Sequence, residues 1–222
     1  MNEPIGAEPA SDYFDIEYRD YERQNPARKL DHYLDVIERH EPDTNRLLDV
    51  GCGRGAFLER AALRGRDWEL NGMDISPEGL QATALRVPQA KLSLSTTDLS
   101  NHPDGPFDVI TAWDVVEHVP SLPAVTSAID AMLRPGGLFV FVVPVYDGIL
   151  GPVIRLLDKD PTHVHKRPRE FWLDWAAGNF EILEWHGIFR YLFGGYYIHL
   201  PTEGLRNQAT AILVVCRKPP GH

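Results

Sequence analysis

A short apolar strand that runs directly into three alternating glycines constrains this chain more than any other feature. Residues 47–50 are followed by Gly51, Gly53 and Gly55, and helix-forming residues begin at Ala56. Glycine allows a sharp turn and lets a ligand approach the backbone closely, and the helix behind it presents free N–H groups at its start. The pattern predicts a ligand-binding loop between a strand and a helix, and a tight turn without a ligand remains the alternative.

Strand-like and helix-like segments alternate from residue 46 to residue 143. Such alternation predicts an α/β fold, a Rossmann-like doubly wound sheet with helices on both faces. The 222 residues are enough for one domain with a large core. We expect a disordered tail over residues 1–12 and a single domain over 13–222. Within it, residues 13–42 would form an N-terminal helical cap, and residues 145–167 and 190–208 would form loops on the substrate side.

Charge and composition make some classes of partner unfavourable. The net charge of −10 disfavours binding to nucleic acid, which requires clustered lysine and arginine. No apolar run reaches the roughly 18 residues of a membrane span, and the N-terminus lacks the pattern of a signal peptide. We therefore expect a cytoplasmic protein with a small-molecule partner, in which the two cysteines stay unpaired.

An aspartate at the end of the second predicted strand indicates a nucleoside ligand. Asp74 lies about 20 residues beyond the glycine loop, where a carboxylate accepts hydrogen bonds from ribose hydroxyls. A simple turn residue before Ser76 and Pro77 is the alternative. The same acid serves in NAD(P)-dependent oxidoreductases, but the spacing here is G-x-G-x-G rather than G-x-G-x-x-G.

Five stretches in order resemble the class I S-adenosylmethionine-dependent methyltransferases, in particular the small-molecule branch that includes ubiquinone- and natural-product-modifying enzymes. They are LLDVGCGRGAFL (47–58), LNGMDISPEGL (70–80), FDVITAWDVVEHV (107–119), LRPGGLFVFVVP (133–144) and DPTHVHKRPREFWLDWAAGNFEIL (160–183). The resemblance implies a seven-stranded sheet whose last strand is antiparallel and lies between the fifth and sixth. It also implies S-adenosylmethionine as the cofactor.

The resemblance assigns the cofactor to the carboxyl ends of the strands. The implied binding positions are Asp49, Gly51, Gly53, Gly55, Asp74, Ile75, Asp98, Leu99, Trp113 and Asp114. The methionine end would lie at the first three, the ribose at Asp74, the adenine edge at Asp98 and Leu99, and the sulfonium beside Trp113 and Asp114.

Three of these assignments have plain alternatives. Asp49 could accept backbone N–H groups and hold the loop together. Asp98 could be a loop acid or a helix cap, and Trp113 could be part of the core.

Histidines are the candidates for proton transfer, since transfer of a methyl group to a hydroxyl requires removal of its proton. His163 and His165 are two residues apart, so in an extended segment they face the same way. With Asp160 they could act as a base, bind a metal or merely hold a loop. We prefer His163 as the base, with His118 and His165 as further candidates, and we expect no resident metal. His118 could equally pack under the edge of the sheet.

The acceptor site should lie outside the cofactor crevice. Aromatic residues in its expected surroundings favour a planar or apolar acceptor, although such residues also pack without any ligand. They lie in residues 13–21 and 194–199. Residues 114–117 read Asp-Val-Val-Glu instead of the Asn/Asp-Pro-Pro-Tyr/Phe of base methylators, which disfavours a nucleic-acid base. The predicted function is methyl transfer to a small molecule, with a hydroxyl as the expected acceptor. A non-catalytic nucleoside-binding protein and an NAD(P)-dependent oxidoreductase remain as alternatives.

Overall fold

Eight strands form one mixed sheet in the computed structural model, which describes residues 21–149, 151–157, 162–193 and 196–220. They are β1 (Arg46–Val50), β2 (Glu69–Asp74), β3 (Lys91–Leu94), β4 (Phe107–Trp113), β5 (Leu133–Pro144), β6 (Glu181–Phe193), β7 (Tyr196–Thr202) and β8 (Ala211–Arg217). Their spatial order is β3-β2-β1-β4-β5-β8-β6-β7. The first five strands are parallel, and β8 is antiparallel between β5 and β6. The predicted fold class and the position of the last strand are confirmed.

Helices cover both faces of this sheet. They are α1 (Tyr21–Gln24), α2 (Ala27–His40), α3 (Ala56–Ala62), α4 (Pro77–Arg86), α5 (Leu122–Met132), α6 (Gly151–Leu157) and α7 (Arg169–Ala177). A bilayer-spanning helix, which needs both length and apolarity, is absent from the part of the chain described here.

Successive residues of the buried strands belong to opposite cores, as the two-residue period of a strand requires. Leu47 packs with Tyr33 and Phe57 beneath α2 and α3. Leu48 packs with Phe139 and Trp172 on the other face, beneath α5 and α7. Burial on both faces explains why these strands read as continuous apolar runs in the sequence.

The sheet has one strand more than the seven expected. Strand β6 continues to Phe193 and forms a hairpin with β7, where Arg190 pairs with His199. The segment 190–208 therefore begins as strand, and the aromatic and branched residues there have high strand propensity. Helix α6 also lies within the region that the sequence suggested to be irregular.

The carboxyl ends of β1, β2 and β4 meet at one edge and position the candidate site. The Gly51 N–H donates to the Met73 carbonyl at 2.7 Å, which ties the end of β1 to β2. The Asp114 N–H donates to the Val142 carbonyl at 3.0 Å, which ties the end of β4 to β5. Ligands of open α/β sheets bind at such an edge.

Candidate active site

The glycine loop adopts a backbone conformation that residues other than glycine rarely adopt. Gly51, Gly53 and Gly55 have φ values of +71°, +52° and +78°. A Cβ at Gly51 would overlap the Val115 side chain, and one at Gly55 would lie 2.8 Å from Thr83 Cγ2. The loop therefore packs directly against the segment that follows β4, so both border one crevice.

Asp74 joins the second strand to the glycine loop. Its Oδ2 accepts the Gly53 N–H at 2.7 Å, and its Oδ1 accepts the Ser76 N–H at 2.8 Å. Only 8% of the residue is exposed, and burial raises the pKa of this carboxyl despite the backbone donors. Each carboxylate oxygen can accept a second hydrogen bond, so Asp74 can still bind two hydroxyls of a ribose.

Asp49 is the most strongly perturbed acid of the site. It is 2% exposed and accepts a hydrogen bond from Thr111 Oγ1 at 2.7 Å. Burial raises its pKa to about 8, and the nearby charge of Asp74 adds to the shift. A cationic group placed beside Asp49 would stabilise its ionised form.

The loop after β3 holds the predicted adenine contacts. Asp98 Oδ1 accepts the Thr96 hydroxyl at 2.7 Å and the Ser100 N–H at 3.1 Å. The hydroxyl of Thr96, followed by that of Ser100, lowers the pKa of Asp98 to about 2, so this exposed acid is ionised. Leu99 has a φ of +59° and donates its N–H to the Thr96 carbonyl at 3.0 Å. An adenine nitrogen would have to compete with that carbonyl. Ile75, beside Asp74, is exposed enough to contact a ligand.

Trp113 is half-buried in an aromatic stack at the end of β4. Its ring centroid lies 4.3 Å from that of Tyr33 in a stacked arrangement and 5.1 Å from that of Phe57, edge to face. Its indole Nε1 is buried without a hydrogen-bond partner among the described residues. Part of the Trp113 side chain therefore belongs to the core, as the alternative from the sequence suggested. The rest of the side chain remains exposed to solvent.

Asp114 forms an ion pair with a basic side chain, a contact that the sequence did not predict. Arg190 Nη1 on β6 lies 2.6 Å from Asp114 Oδ2, and the backbone of Asp114 has a φ of +58°. Burial opposes the charge of Asp114, but Arg190 and then Lys29 leave its pKa below the ordinary value. Lys29 itself is buried, which lowers its pKa to about 8. No local pattern reveals a contact between residues 76 positions apart.

A cluster of one glutamate and two histidines lies just beyond β4. Glu117 and His118 form a short 3₁₀ turn, and His163 comes from the segment before α7. One potential ligand atom of each residue lies within 4.8 Å of those of the other two. The ring centroids of His118 and His163 are 4.6 Å apart. This arrangement can move a proton or hold a divalent cation.

A hydroxyl group contacts each histidine of the cluster. Thr162 Oγ1 lies 2.8 Å from His118 Nδ1, and the Tyr146 hydroxyl lies 3.1 Å from His163 Nδ1. Glu117 is fully buried. Glu117 belongs to the stretch at 107–119 that carries the family resemblance, but the sequence assigned it no role in the site. Tyr146 was not predicted, because an isolated Tyr carries no pattern of its own.

His165 has contacts different from those of His163. Its backbone N–H donates to the Glu117 carbonyl at 3.1 Å, and its Nε2 lies 3.0 Å from the Val119 carbonyl. Since both contacts are to backbone, His165 holds the 3₁₀ turn in place. Asp160, the third member of the metal hypothesis, lies outside the described residues.

In the predicted acceptor site, residues 196–199 lie in β7, and Tyr21 lies beside the glycine loop. Its hydroxyl donates to the Cys52 carbonyl at 3.4 Å and accepts the Ala56 N–H at 3.2 Å. It therefore covers the glycine loop, and burial raises its pKa. Tyr13, Phe14, Tyr18, Gly194 and Gly195 lie outside the described residues. His199 lies 3.3 Å from the Tyr33 hydroxyl, measured from its Nε2.

Comparisons with known proteins identify the family to which this chain belongs. A family model described as a methyltransferase domain matches residues 18–184. A ubiquinone biosynthesis O-methyltransferase of Chromobacterium violaceum is 33% identical over 133 residues, covering 57% of this chain and 54% of the relative. The corresponding protein of Xylella fastidiosa is 32% identical over 176 residues, covering 71% of this chain and 68% of the relative.

Solved structures share the fold at lower sequence identity. An S-adenosylmethionine-dependent methyltransferase of Thermotoga maritima has a TM-score of 0.64 at 14% identity, covering 92% of this chain and 97% of that one. The chain spans about half the length of the first curated relative it matches. Because the family model covers most of the chain, this protein belongs to the family described as a methyltransferase domain.

Proposed function

We propose that this protein transfers a methyl group from S-adenosylmethionine to a hydroxyl of a small molecule. The observation that carries the proposal is the position of the cluster of Glu117, His118 and His163. The cluster begins at the turn after β4, and Val115 of the same segment packs on Gly51. Groups able to take a proton thus border the crevice that would hold the methyl donor.

On the donor side, three acids fit three parts of S-adenosylmethionine. Asp49 would face the methionine ammonium group. That positive charge would stabilise the ionised form of Asp49, which burial disfavours. Asp74 would accept the ribose hydroxyls while keeping its bonds to Gly53 and Ser76. Asp98 would accept the adenine amino group, and the backbone of the glycine loop would meet the methionine carboxylate.

On the acceptor side, the chemistry needs alignment and one proton transfer. Bound S-adenosylmethionine would supply an electrophilic methyl group, and the acceptor oxygen would bond to the methyl carbon as the carbon–sulfur bond breaks, leaving S-adenosylhomocysteine. The hydroxyl proton passes to His163, our proposed base, whose ring lies beside His118. Exclusion of water and alignment of the oxygen with the S–CH₃ axis supply most of the remaining rate.

The same three side chains also form a donor set for a divalent cation. Imidazole and carboxylate ligands suit zinc and related ions. A cation held there would lower the pKa of a hydroxyl bound to it and reduce the need for a base. Loss of activity in EDTA that one added divalent metal restores would support the metal-assisted mechanism. Unchanged activity in EDTA would support His163 as the base.

The relatives named as O-methyltransferases support oxygen as the acceptor atom, and the partly exposed rings of Tyr21 and Trp113 are consistent with an aromatic or apolar acceptor. We also propose that the protein is cytoplasmic and that it consists of a tail over residues 1–12 and a single domain over residues 13–222.

The test uses S-adenosylmethionine with a ¹³C-labelled methyl group and a panel of small phenols and alcohols. The proposal predicts S-adenosylhomocysteine together with a methyl ether, identified by mass spectrometry and the ¹³C shift. An N-, C- or S-methyl product would contradict the hydroxyl assignment. Binding of S-adenosylmethionine with no transfer to any acceptor would favour the non-catalytic alternative.

A further inference from the structure

Two histidines from different elements face each other where α2 packs on β6. His32 Nε2 lies 2.9 Å from His186 Nε2, and the ring centroids are 5.0 Å apart with the rings edge to face. His186 is 3% exposed, whereas His32 is only partly buried. The proposed methyl transfer assigns no role to either ring, so the pair calls for an explanation of its own.

Glu184 determines which nitrogen of His186 carries the proton. Its Oε1 lies 3.3 Å from His186 Nδ1, while its Oε2 lies 2.8 Å from His40 Nε2 and 3.0 Å from Arg39 Nη1. Burial opposes the ionisation of Glu184, but His40 and Arg39 hold its pKa below the ordinary value. An ionised carboxylate can only accept hydrogen bonds, so His186 donates its Nδ1–H. Burial lowers the pKa of His186, and the neutral ring therefore turns an Nε2 lone pair towards His32.

The distance between the two Nε2 atoms fits two ligands of one metal ion. Imidazole nitrogens bind first-row divalent ions at about 2.0–2.1 Å, so two of them at a right angle around the ion are about 2.9 Å apart. Right angles between neighbouring ligands are typical of tetragonal Cu²⁺ and Ni²⁺ sites. A carboxylate that accepts the other N–H of a ligating histidine is also the usual outer partner in such sites. Glu184 has this relation to His186.

We propose that His32 and His186 bind a late first-row divalent cation through Nε2, with Cu²⁺ preferred over Ni²⁺ and Zn²⁺, and that Glu184 orients His186. The order of preference follows the general affinity series for nitrogen ligands. His32 moves its proton from Nε2 to Nδ1 when the ion binds, so both rings stay neutral. Among the residues that the structure describes, no third His, Cys, Asp or Glu joins the pair within 4.8 Å. Water therefore completes the coordination from the partly exposed side of His32.

The surroundings of His32 favour a bound cation over a bound proton. Burial, followed by repulsion from His186, lowers the pKa of His32 to about 4, so protons do not compete with the ion near neutral pH. Two acids, Asp35 and Glu184, attract positive charge at this ring, and Arg39 opposes them. A divalent ion that keeps its water ligands can use this attraction without complete desolvation.

A cation at this site would link α2 to β6. His32 directly precedes Tyr33, whose ring stacks on Trp113 at a centroid distance of 4.3 Å. The ion would therefore hold in place the helix that packs on the end of β4. Because it binds the folded chain through two separate elements, its binding should raise Tm as the cation concentration increases.

The experiment is a Cu²⁺ titration of the full chain, followed by calorimetry and pulsed EPR. The cluster of Glu117, His118 and His163 could also bind the ion, so every protein tested carries His118→Ala and His163→Ala. In this background we expect one Cu²⁺ per chain, with two imidazole nitrogens in the EPR spectrum and a higher Tm.

Further substitutions test the ligands one by one. His32→Gln and His186→Gln should each weaken Cu²⁺ binding by at least tenfold and leave one imidazole in the spectrum. Glu184→Gln should weaken it by about tenfold, the scale of a lost outer partner, and keep both imidazoles. His102→Gln is the matched control and should change neither the Kd nor the spectrum. Should His186→Gln fail to fold, His32→Gln at the partly exposed position carries the test.

Two outcomes would overturn the inference. One is the absence of saturable Cu²⁺ binding in the folded background protein. The other is Cu²⁺ binding that His32→Gln leaves unchanged. Neither outcome depends on the methyl acceptor, so the inference and the proposed function stand or fall separately.

Discussion

The carboxylate of Asp74 accepts the backbone N–H of Gly53 at 2.7 Å, so the second strand fixes the glycine loop directly. The same carboxylate has lone pairs left for a ribose. Asp74 thus links the shape of the loop to recognition of the nucleoside.

Replacement of Asp74 by alanine should weaken S-adenosylmethionine binding by about 1–3 kcal/mol, the scale of lost hydrogen bonds to a charged group. Isothermal calorimetry measures this, and Asp43→Ala at an exposed site before β1 is the control. Affinity equal to that of the wild type in a folded Asp74→Ala protein would contradict the ribose assignment.

Binding of S-adenosylmethionine should tighten as the pH rises towards 8. The pKa of Asp49 is about 8 because of burial, so below that pH the cationic ligand must first displace a proton. Affinity should therefore increase up to about tenfold per pH unit between pH 6 and 8 and level off above. Calorimetry in two buffers with different ionisation heats detects the released proton. Asp49→Asn should bind more weakly without this dependence, and a flat wild-type profile would exclude Asp49 as the partner of the ammonium.

Acid should destabilise the packing of α2 on β6. His32 Nε2 lies 2.9 Å from His186 Nε2, and burial followed by repulsion from His186 lowers the pKa of His32 to about 4. A depressed histidine pKa gives stability that is complete above the unfolded value of about 6.5 and is lost progressively as the pH falls from there to about 4. Glu184, 3.3 Å from His186 Nδ1, opposes the shift of His186 without reversing it.

Urea unfolding should show this loss as a decrease on the order of 1–2 kcal/mol in the free energy of unfolding between pH 7 and 4.5. His32→Gln should reduce the slope, while His102→Gln, in the loop before β4, should keep it. Equal slopes in all three proteins would mean that other groups control acid stability.

His163→Ala should lower kcat much more than it weakens binding of the methyl donor. Loss of a general base typically costs about 10²–10⁴ in rate, whereas the proposed binding of the methyl donor depends on Asp49, Asp74 and Asp98. Steady-state kinetics and calorimetry measure the two effects, with His102→Ala as the control. A turnover rate equal to that of the wild type would assign His163 a purely structural role.

Local patterns were sufficient for the parts of the fold that depend on adjacent residues. The glycine loop and the strand ends at Asp74 and Trp113 follow from short-range periodicity and turn chemistry. The arrangement of the sheet follows from the five stretches that resemble the family and occur in its order. The additional strand, β7, was missed because it pairs with the end of β6 in a hairpin that the sequence suggested to be a loop.

The contacts that complete the site depend on tertiary packing. Arg190 reaches Asp114 from a distant strand, and Tyr146 reaches His163 across an irregular segment. A single sequence contains no periodic signal for either pair. The histidines themselves were predicted, but the hydroxyls that hold them could be found only in the folded structure.

The most direct test of the central claim is a calorimetric titration of the wild-type protein with S-adenosylhomocysteine and, separately, with NAD⁺. If Asp49, Asp74 and the loop at residues 51–55 hold an adenosyl sulfur ligand, S-adenosylhomocysteine will bind at one site per chain and NAD⁺ will show no saturable heat. Saturable binding of NAD⁺ together with no binding of S-adenosylhomocysteine would contradict it.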